Sequence, residues 1–250
     1  MFSLFPFFGK GSNLNFLPSS ISSLALWLDA NDASTITQTG GLVSQWDDKS
    51  RLGNNATQSI EARKPSYDAA NDELDFDSSY FAVPGYADAA IVSGNALTVA
   101  IKVKLPSAGP TVPRVIMGKG SFETLNFYID VFSTSLRYKV GNSVLLTYDI
   151  SGKLGTYISI VLRASGGNLL LIINGQEIET SSAYNTISDV ADGLLIGARL
   201  NSGTPGNFYA DGSMSDIILY DRSLTDQETA KLNGYLYQSP FSDEFSGEFA

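Results

Sequence analysis

Along residues 97–105, Leu97, Val99, Ile101, Val103 and Leu105 alternate with Thr98, Ala100, Lys102 and Lys104. Period two is the pattern of a strand with one face in a core and one toward water. Residues 24–30, LALWLDA, place Leu24, Leu26 and Leu28 on one face and Ala25 and Trp27 on the other, which predicts a strand buried on both sides. Short apolar runs then recur at close spacing: RVIMG, NFYIDVF, SLRYKV, SVLLTYD, TYISIVLRA, NLLLII, QEIET, GLLIGAR and MSDIILYD. Asn174-Gly175 between two of them is a hairpin signal, because a type I′ turn needs positive φ at both central residues. The pattern predicts about eleven to thirteen strands and an all-β sandwich or barrel.

One helix is predicted, in SLTDQETAKLNGYL. Thr225 can cap it, Glu228 three residues on completes a capping box, and Gly234 is positioned to end it. The expected organisation is an apolar N-terminal arm at 1–20, a domain at 21–236 and a Phe/acidic tail at 237–250. The arm holds Phe2, Phe5, Phe7 and Phe8 and closes at Pro18-Ser19-Ser20. Terminal segments are usually polar and frayed, so these rings imply docking, on the chain's own sheet or on a neighbouring subunit. Phe241, Phe245 and Phe249 in the tail are four apart, and Pro240 and Gly247 oppose a stable helix there. The N-terminal apolar stretch carries Pro6, has Lys10 after it and lacks an A-x-A-like site, so it reads as mature protein and not as a signal peptide.

Composition narrows the chemistry. The chain has 250 residues, 43% of them hydrophobic, which is ample for a core. Its net charge of −10 gives no basic footprint for a nucleic acid. Cys and His are both 0, which removes disulfides, thiolate or imidazole metal sites and His-dependent triads. No apolar run reaches the length of a membrane helix. Carboxylate chemistry, oxygen-ligated cations and binding remain.

The order of segments resembles the concanavalin A-like, laminin-G-like jelly roll. The matching features are Asn174-Gly175, Ile196-Gly197, and then Gly212, Asp216, Tyr220, Leu224 and Glu228 in NFYADGSMSDIILYDRSLTDQETAKL. LALWLDANDASTI, SQWDDKS and LDFDSSYFAVPG resemble the opening of that family as it occurs in bacterial and bacteriophage proteins. The resemblance covers residues 24–235, and Ser78 stands after Asp77 where the family usually has Gly. It implies an all-β, two-sheet antiparallel jelly-roll sandwich with one short C-terminal helix. It also implies a structural calcium, with Asp77 and Asp216 as ligands, and lectin-like sugar binding.

Three chemistries follow as expectations. Glu73, Asp75 and Asp77 alternate along one strand and would line one surface, as the acids of laminarinase-type glycosidases do. An i, i+4 pair on a strand spans roughly 13 Å, whereas a retaining glycosidase needs its carboxyls about 5–5.5 Å apart, so an enzyme is not expected. Trp27 and Trp46 are expected to pack in or beside the core. Tyr86, Tyr184, Asn185, Asn207 and Tyr209 lie in predicted loops and are the candidate sugar contacts. The combined expectation is a non-enzymatic bacteriophage virion protein, a capsid decoration or tail-fibre accessory. It would be made in the host cytoplasm without a signal peptide, dock to other virion proteins as a homo-oligomer, and touch cell-surface carbohydrate. A free carbohydrate-binding module is the alternative, and a glycoside hydrolase the weaker one.

Overall fold

The computed structural model describes residues 16–84, 96–120, 127–140, 143–181, 193–201, 203–206 and 208–238. Within them lie 19 strands, four 3-10 turns and the helix Asp226–Gln238. The surplus over the sequence expectation comes from short pieces such as Ala56–Thr57 and Leu194–Ile196, too brief to leave a periodic signal. All pairings are antiparallel.

The strands form two faces of a sandwich. The main sheet runs Leu24–Asp29, Ala210–Tyr220, Leu97–Lys104, Tyr157–Ser165, Asn168–Ile173, Gln176–Ser181, with Glu73–Ser79 paired to the first half of Ala210–Tyr220. The second sheet runs Ser143–Asp149, Ser135–Val140, Phe127–Phe132, Arg114–Lys119, Leu194–Ile196, Phe81–Val83, Ala56–Thr57, Leu42–Trp46, Ile36–Thr39. Ser66–Asp68 pairs with both Leu42–Trp46 and Glu73–Ser79, so one edge is stitched and the hydrogen-bonded network continues from sheet to sheet. Leu200–Asn201 and Thr204–Pro205 form a separate two-stranded ribbon. This is the expected two-sheet jelly-roll sandwich with one C-terminal helix.

The principal core lies between the sheets. Val99, Ile101, Val103, Ile160, Leu162, Leu171 and Ile217 from one face Val43, Phe81, Met117, Ile129, Leu136 and Ile196 from the other. Trp46 and Trp27 are buried, as expected. A second apolar layer covers the outside of the main sheet. There Trp27, Ala100, Val161, Ile172, Ile218 and Tyr220 pack beneath Leu224 and the helix residues Leu232 and Leu236. Each fully buried leucine contributes about 1.5–3 kcal/mol. This layer explains one departure: residues 97–104 are buried on both faces, including Thr98, Ala100 and Lys102, because the helix side is closed and not wet. A bulge between Leu24 and Leu26 explains another, moving Ala25 into the inter-sheet core and Leu24 to the outer layer.

Local signals decide the helix and turns. Thr225 Oγ1 accepts from Glu228 N (3.3 Å) and Glu228 Oε2 accepts from Thr225 N (2.9 Å), the predicted capping box. Arg222 forks onto Glu228, whose carboxyl is held down to about 2 chiefly by that hydrogen bond. Gly234 does not end the helix, which continues to Gln238. Docking of Tyr235 and Leu236 on the main sheet outweighs the ~1 kcal/mol that glycine costs in a helix. Asn174 and Gly175 have φ of 50° and 75°, the type I′ turn. At Gly197, φ is 81° and an added Cβ would lie 2.8 Å from the Phe76 ring and the Ser79 carbonyl, so no side chain fits there. Ser78 has φ 54°, the left-handed backbone that explains why the family favours Gly at this point.

The end of the expected arm packs on the domain: Tyr220 OH donates to the Pro18 carbonyl (2.9 Å), and the Phe16 ring meets Tyr235 edge-on at 6.3 Å. Phe2, Phe5, Phe7, Phe8, Phe241, Phe245 and Phe249 lie outside the described residues.

Candidate functional site

Register, not sequence proximity, assembles the most concentrated charge. Asp68 stands opposite Glu73, and Ser66 opposite Asp75. Asp75 stands opposite Ser213, Ser213 opposite Lys104, and Lys104 opposite Tyr157. One polar row therefore crosses the end of the main sheet. The expected alternation holds, since Leu74 and Phe76 enter the core while Glu73, Asp75 and Asp77 take the other face. Carboxylate oxygens of Asp68, Glu73 and Asp75 all lie within 4.8 Å of one another. Asp77 is exposed, opposite Asp211, and does not join them.

These acids are engaged by neighbouring strands. The Tyr157 hydroxyl donates to Glu73, and Ser213 Oγ donates to Asp75 Oδ1 at 2.6 Å. Asp68 accepts from Ala70 N at 2.9 Å and from Asn71 Nδ2 at 2.8 Å, which closes the turn joining the two acidic strands. Glu73 is 3% exposed, and burial pushes its carboxyl up from the ordinary range. Lys104 Nζ sits over the Tyr157 ring, 5.1 Å from its centre. Three carboxyls this close repel unless one holds a proton or a cation lies between them. Their oxygens are the donor type that calcium takes, and Asp68 was invisible as a member because its nearness depends on strand pairing.

Asp216 occupies a different environment. It is fully buried on the outer face of the main sheet, opposite Asp29 on one side and Lys102 on the other. Tyr235 OH, from the helix, donates to Asp216 Oδ1 at 3.2 Å, and Ser215 Oγ to Oδ2 at 3.0 Å. Burial, then the Asp29 charge, pushes the Asp216 carboxyl well above the usual range. Burial also pushes the Lys102 ammonium down to about 8. Asp29 is held by Lys49 Nζ at 2.7 Å and by Asn31 Nδ2 at 2.8 Å. Asp77 stands opposite Asp211, and Asp216 opposite Asp29 and Lys102, five positions further along the same strand, so the register does not bring the two together. An ammonium beside Asp216 also opposes a cation there.

The nearby SQWDDKS segment is structural. Asp48 accepts from Trp27 N, Ser50 N, Ser50 Oγ and Asn54 N at 2.6–3.0 Å, and so folds its loop around one carboxylate. Of the expected sugar contacts, Tyr86, Tyr184, Asn185 and Asn207 lie outside the described residues. Tyr209 is 9% exposed, and its ring is stacked on Tyr80 at 5.7 Å with the Arg63 guanidinium over it at 4.2 Å. It is a packing residue here and not an open platform for a sugar ring.

Comparison with known proteins agrees with this architecture. No curated protein sequence matches the chain. Among solved structures, Trypanosoma rangeli sialidase in complex with sialic acid superposes with a TM-score of 0.60 at 16% identity, covering 87% of this chain and 33% of the sialidase. The botulinum neurotoxin type G receptor binding domain gives 0.60 at 13% identity, covering 86% of this chain and 51% of that one. The binding domain of botulinum neurotoxin DC in complex with rat synaptotagmin II gives 0.54 at 14%. The chain thus spans about a third of the sialidase and half of the neurotoxin domains, and the likeness is one of fold. The family model of the concanavalin A-like lectin/glucanases superfamily matches residues 75–230, a span that carries the Asp75–Ser213 contact, the 174–175 hairpin, Gly197 and the capping box. On that match over more than half its length, this chain belongs to the concanavalin A-like lectin/glucanases superfamily.

Proposed function

We propose that this chain is a non-catalytic, lectin-like jelly roll carried on a bacteriophage particle, where it contacts host-surface glycans. The observation that carries the non-catalytic reading is the engagement of the acids: Glu73 takes the Tyr157 hydroxyl and Asp75 takes Ser213. A glycosidase of the two-carboxylate type needs one carboxyl free to protonate a leaving group and another free to attack or to activate water. Glycan contact is supported by the family and by a sialidase among the structural neighbours. Attachment to a particle rests on the bacteriophage-like opening segments and on the four phenylalanines before residue 9. Their segment leads into Phe16 and Pro18, which are tied to Tyr235 and Tyr220. In this reading the arm docks on other virion proteins or on further copies of the chain.

The test is protein composition of gradient-purified particles, with the full chain and with a version lacking residues 1–15. The reading expects the full chain in the particle band. The shortened chain should melt at the same temperature and be lost from the band. Recovery only as free protein would favour a carbohydrate-binding module. Saccharide hydrolysis that disappears in Glu73→Gln would favour a glycoside hydrolase.

A further inference from the structure

The C-terminal helix is anchored unevenly. At its start Arg222 forks onto Glu228. Arg163 Nη1 donates there to Asp226 Oδ1 at 2.7 Å, to the Leu224 carbonyl at 3.0 Å and to Thr229 Oγ1 at 3.2 Å. Residues 233–238, NGYLYQ, carry no charged side chain. Their buried polar anchor is the hydrogen bond from Tyr235 OH to Asp216, while Tyr237 OH donates to the Asn174 carbonyl at 3.3 Å near the surface. Gly234 lies between the two halves. A Cβ there would meet nothing within 4 Å, so packing does not require glycine. Glycine loses more backbone entropy in a helix than alanine does, which makes this point the weak one.

Tyr235 also joins the first and last described segments. Its ring meets Phe16 at 6.3 Å and Trp27 at 6.2 Å, both edge-on. Beneath it Asp216 is 0% exposed and Asp29 is 6% exposed. The groups facing Asp216 come from each element packed on it: Asp29 from Leu24–Asp29, Lys102 from Leu97–Lys104, Tyr235 from the helix, and Ser215 beside it. Asp29 has Lys49 Nζ at 2.7 Å, an ammonium that it shares with Asp32. Two buried carboxyls side by side do not both ionise readily, and Asp29 is the one with that ammonium against it. The proton stays on Asp216, the direction in which burial and the Asp29 charge push it.

We infer that residues 234–238 are a proton-gated latch, seated on the main sheet while Asp216 holds its proton and swinging away at Gly234, with release of Phe16, as that proton leaves. An ionised carboxylate gains more from water than a neutral one, and water reaches Asp216 when Tyr235 lifts. A group that holds its proton more tightly in the sealed state favours that state at low pH and the open state as pH rises. Burial pushes the Lys102 ammonium down to about 8, so below that pH Lys102 keeps its charge and Asp216 alone changes. Acid therefore fixes both terminal segments to the domain, and neutral pH loosens them together.

The chain has no cysteine, so one introduced thiol reports on one place. Leu236→Cys puts it under the latch, and Leu224→Cys puts it beside the anchored start. Labelling by a disulfide reagent is followed from about pH 5 to about pH 7.5, and each rate is divided by that of the same variant in urea, which removes the thiol's own ionisation. The expected result is a rise of about tenfold or more at Leu236→Cys with little change at Leu224→Cys. Adding Asp216→Asn, which keeps a neutral side chain, should abolish the rise. Adding Gly234→Ala should slow labelling several-fold at each pH. Hydrogen exchange of the unaltered chain, corrected for intrinsic rates, gives the same reading without a core substitution: protection in 234–238 should fall with pH while 229–232 holds. An equal rise at both thiols would mean that the whole helix opens and would overturn the hinge. A rise that survives Asp216→Asn would overturn Asp216 as the gate. No rise in labelling or in exchange would overturn the latch itself.

Discussion

The two outer faces of the sandwich handle charge in opposite ways. Outside the main sheet, Asp29, Asp216 and Lys102 lie side by side on adjacent strands and are sealed under Tyr235 and the C-terminal helix. Outside the second sheet, Arg137 and Lys139 are spread over aromatic rings without a covering helix among the described residues. Buried charges of both signs, matched by strand register, have a structural cost that only their partners offset. A partly exposed charge such as Lys139 adds little to stability, while the Arg137–Asp130 pair beneath it is itself a buried pair. Polar residues in the same fold therefore read differently according to what lies on top of them.

The largest effect that separates the faces is Asp216→Ala. It removes the acceptor for Tyr235 and Ser215 at a fully buried position, so a loss of about 1–3 kcal/mol is expected in urea unfolding. Lys139→Glu, at a partly exposed position on the uncovered face, should shift unfolding by under about 0.5 kcal/mol. If the two substitutions destabilise equally, the comparison fails.

Next in size is the pH response of the sealed face. Asp216 keeps its proton in the folded chain where the unfolded chain, with a usual value of 3.8, has lost it. Its contribution is therefore complete below that value and declines as pH rises toward the raised folded one. Lys102 runs the other way, its contribution present above the usual 10.5 and lost as pH falls through about 8. Asp216→Asn should flatten stability against pH from about 4 upward, as followed by melting temperature; an unchanged profile would remove Asp216 as its source.

Tyr235→Phe tests the seal more gently. It removes one hydrogen bond from the helix to Asp216 and should cost about 1 kcal/mol, with faster amide exchange in 226–238. The smallest effect expected is a gain. Ser78→Gly relieves the left-handed backbone at φ 54°, and its unfolded-state entropy cost leaves a net stabilisation under about 1 kcal/mol. A loss there would mean that the Ser78 side chain has a role beyond its backbone.

Much of the fold could be read from local pattern. Asn174-Gly175 and Thr225 with Glu228 each specify geometry within a few residues and take the predicted form, and alternation in 97–105 marks a strand, though not the burial of both its faces. What the pattern missed depends on distant neighbours. The bulge at Ala25 follows from pairing with Tyr220 and Leu219, and the helix runs past Gly234 because a sheet lies beneath it. The sites were less legible for the same reason. Glu73 and Asp75 stand out in sequence, but Asp68 joins them only through antiparallel pairing. Asp216 reads as a candidate ligand until Lys102 and Tyr235, more than a hundred residues before it and 19 after it, are seen to hold it.

The central claim, that buried polar groups under the C-terminal helix hold the outer face of the main sheet, is tested most directly by hydrogen exchange of the full chain and of Asp216→Ala. The account predicts faster exchange in 24–29, 216–220 and 226–238, with 114–119 and 127–140 unchanged. An equal increase in both sheets, or none in either, would contradict it.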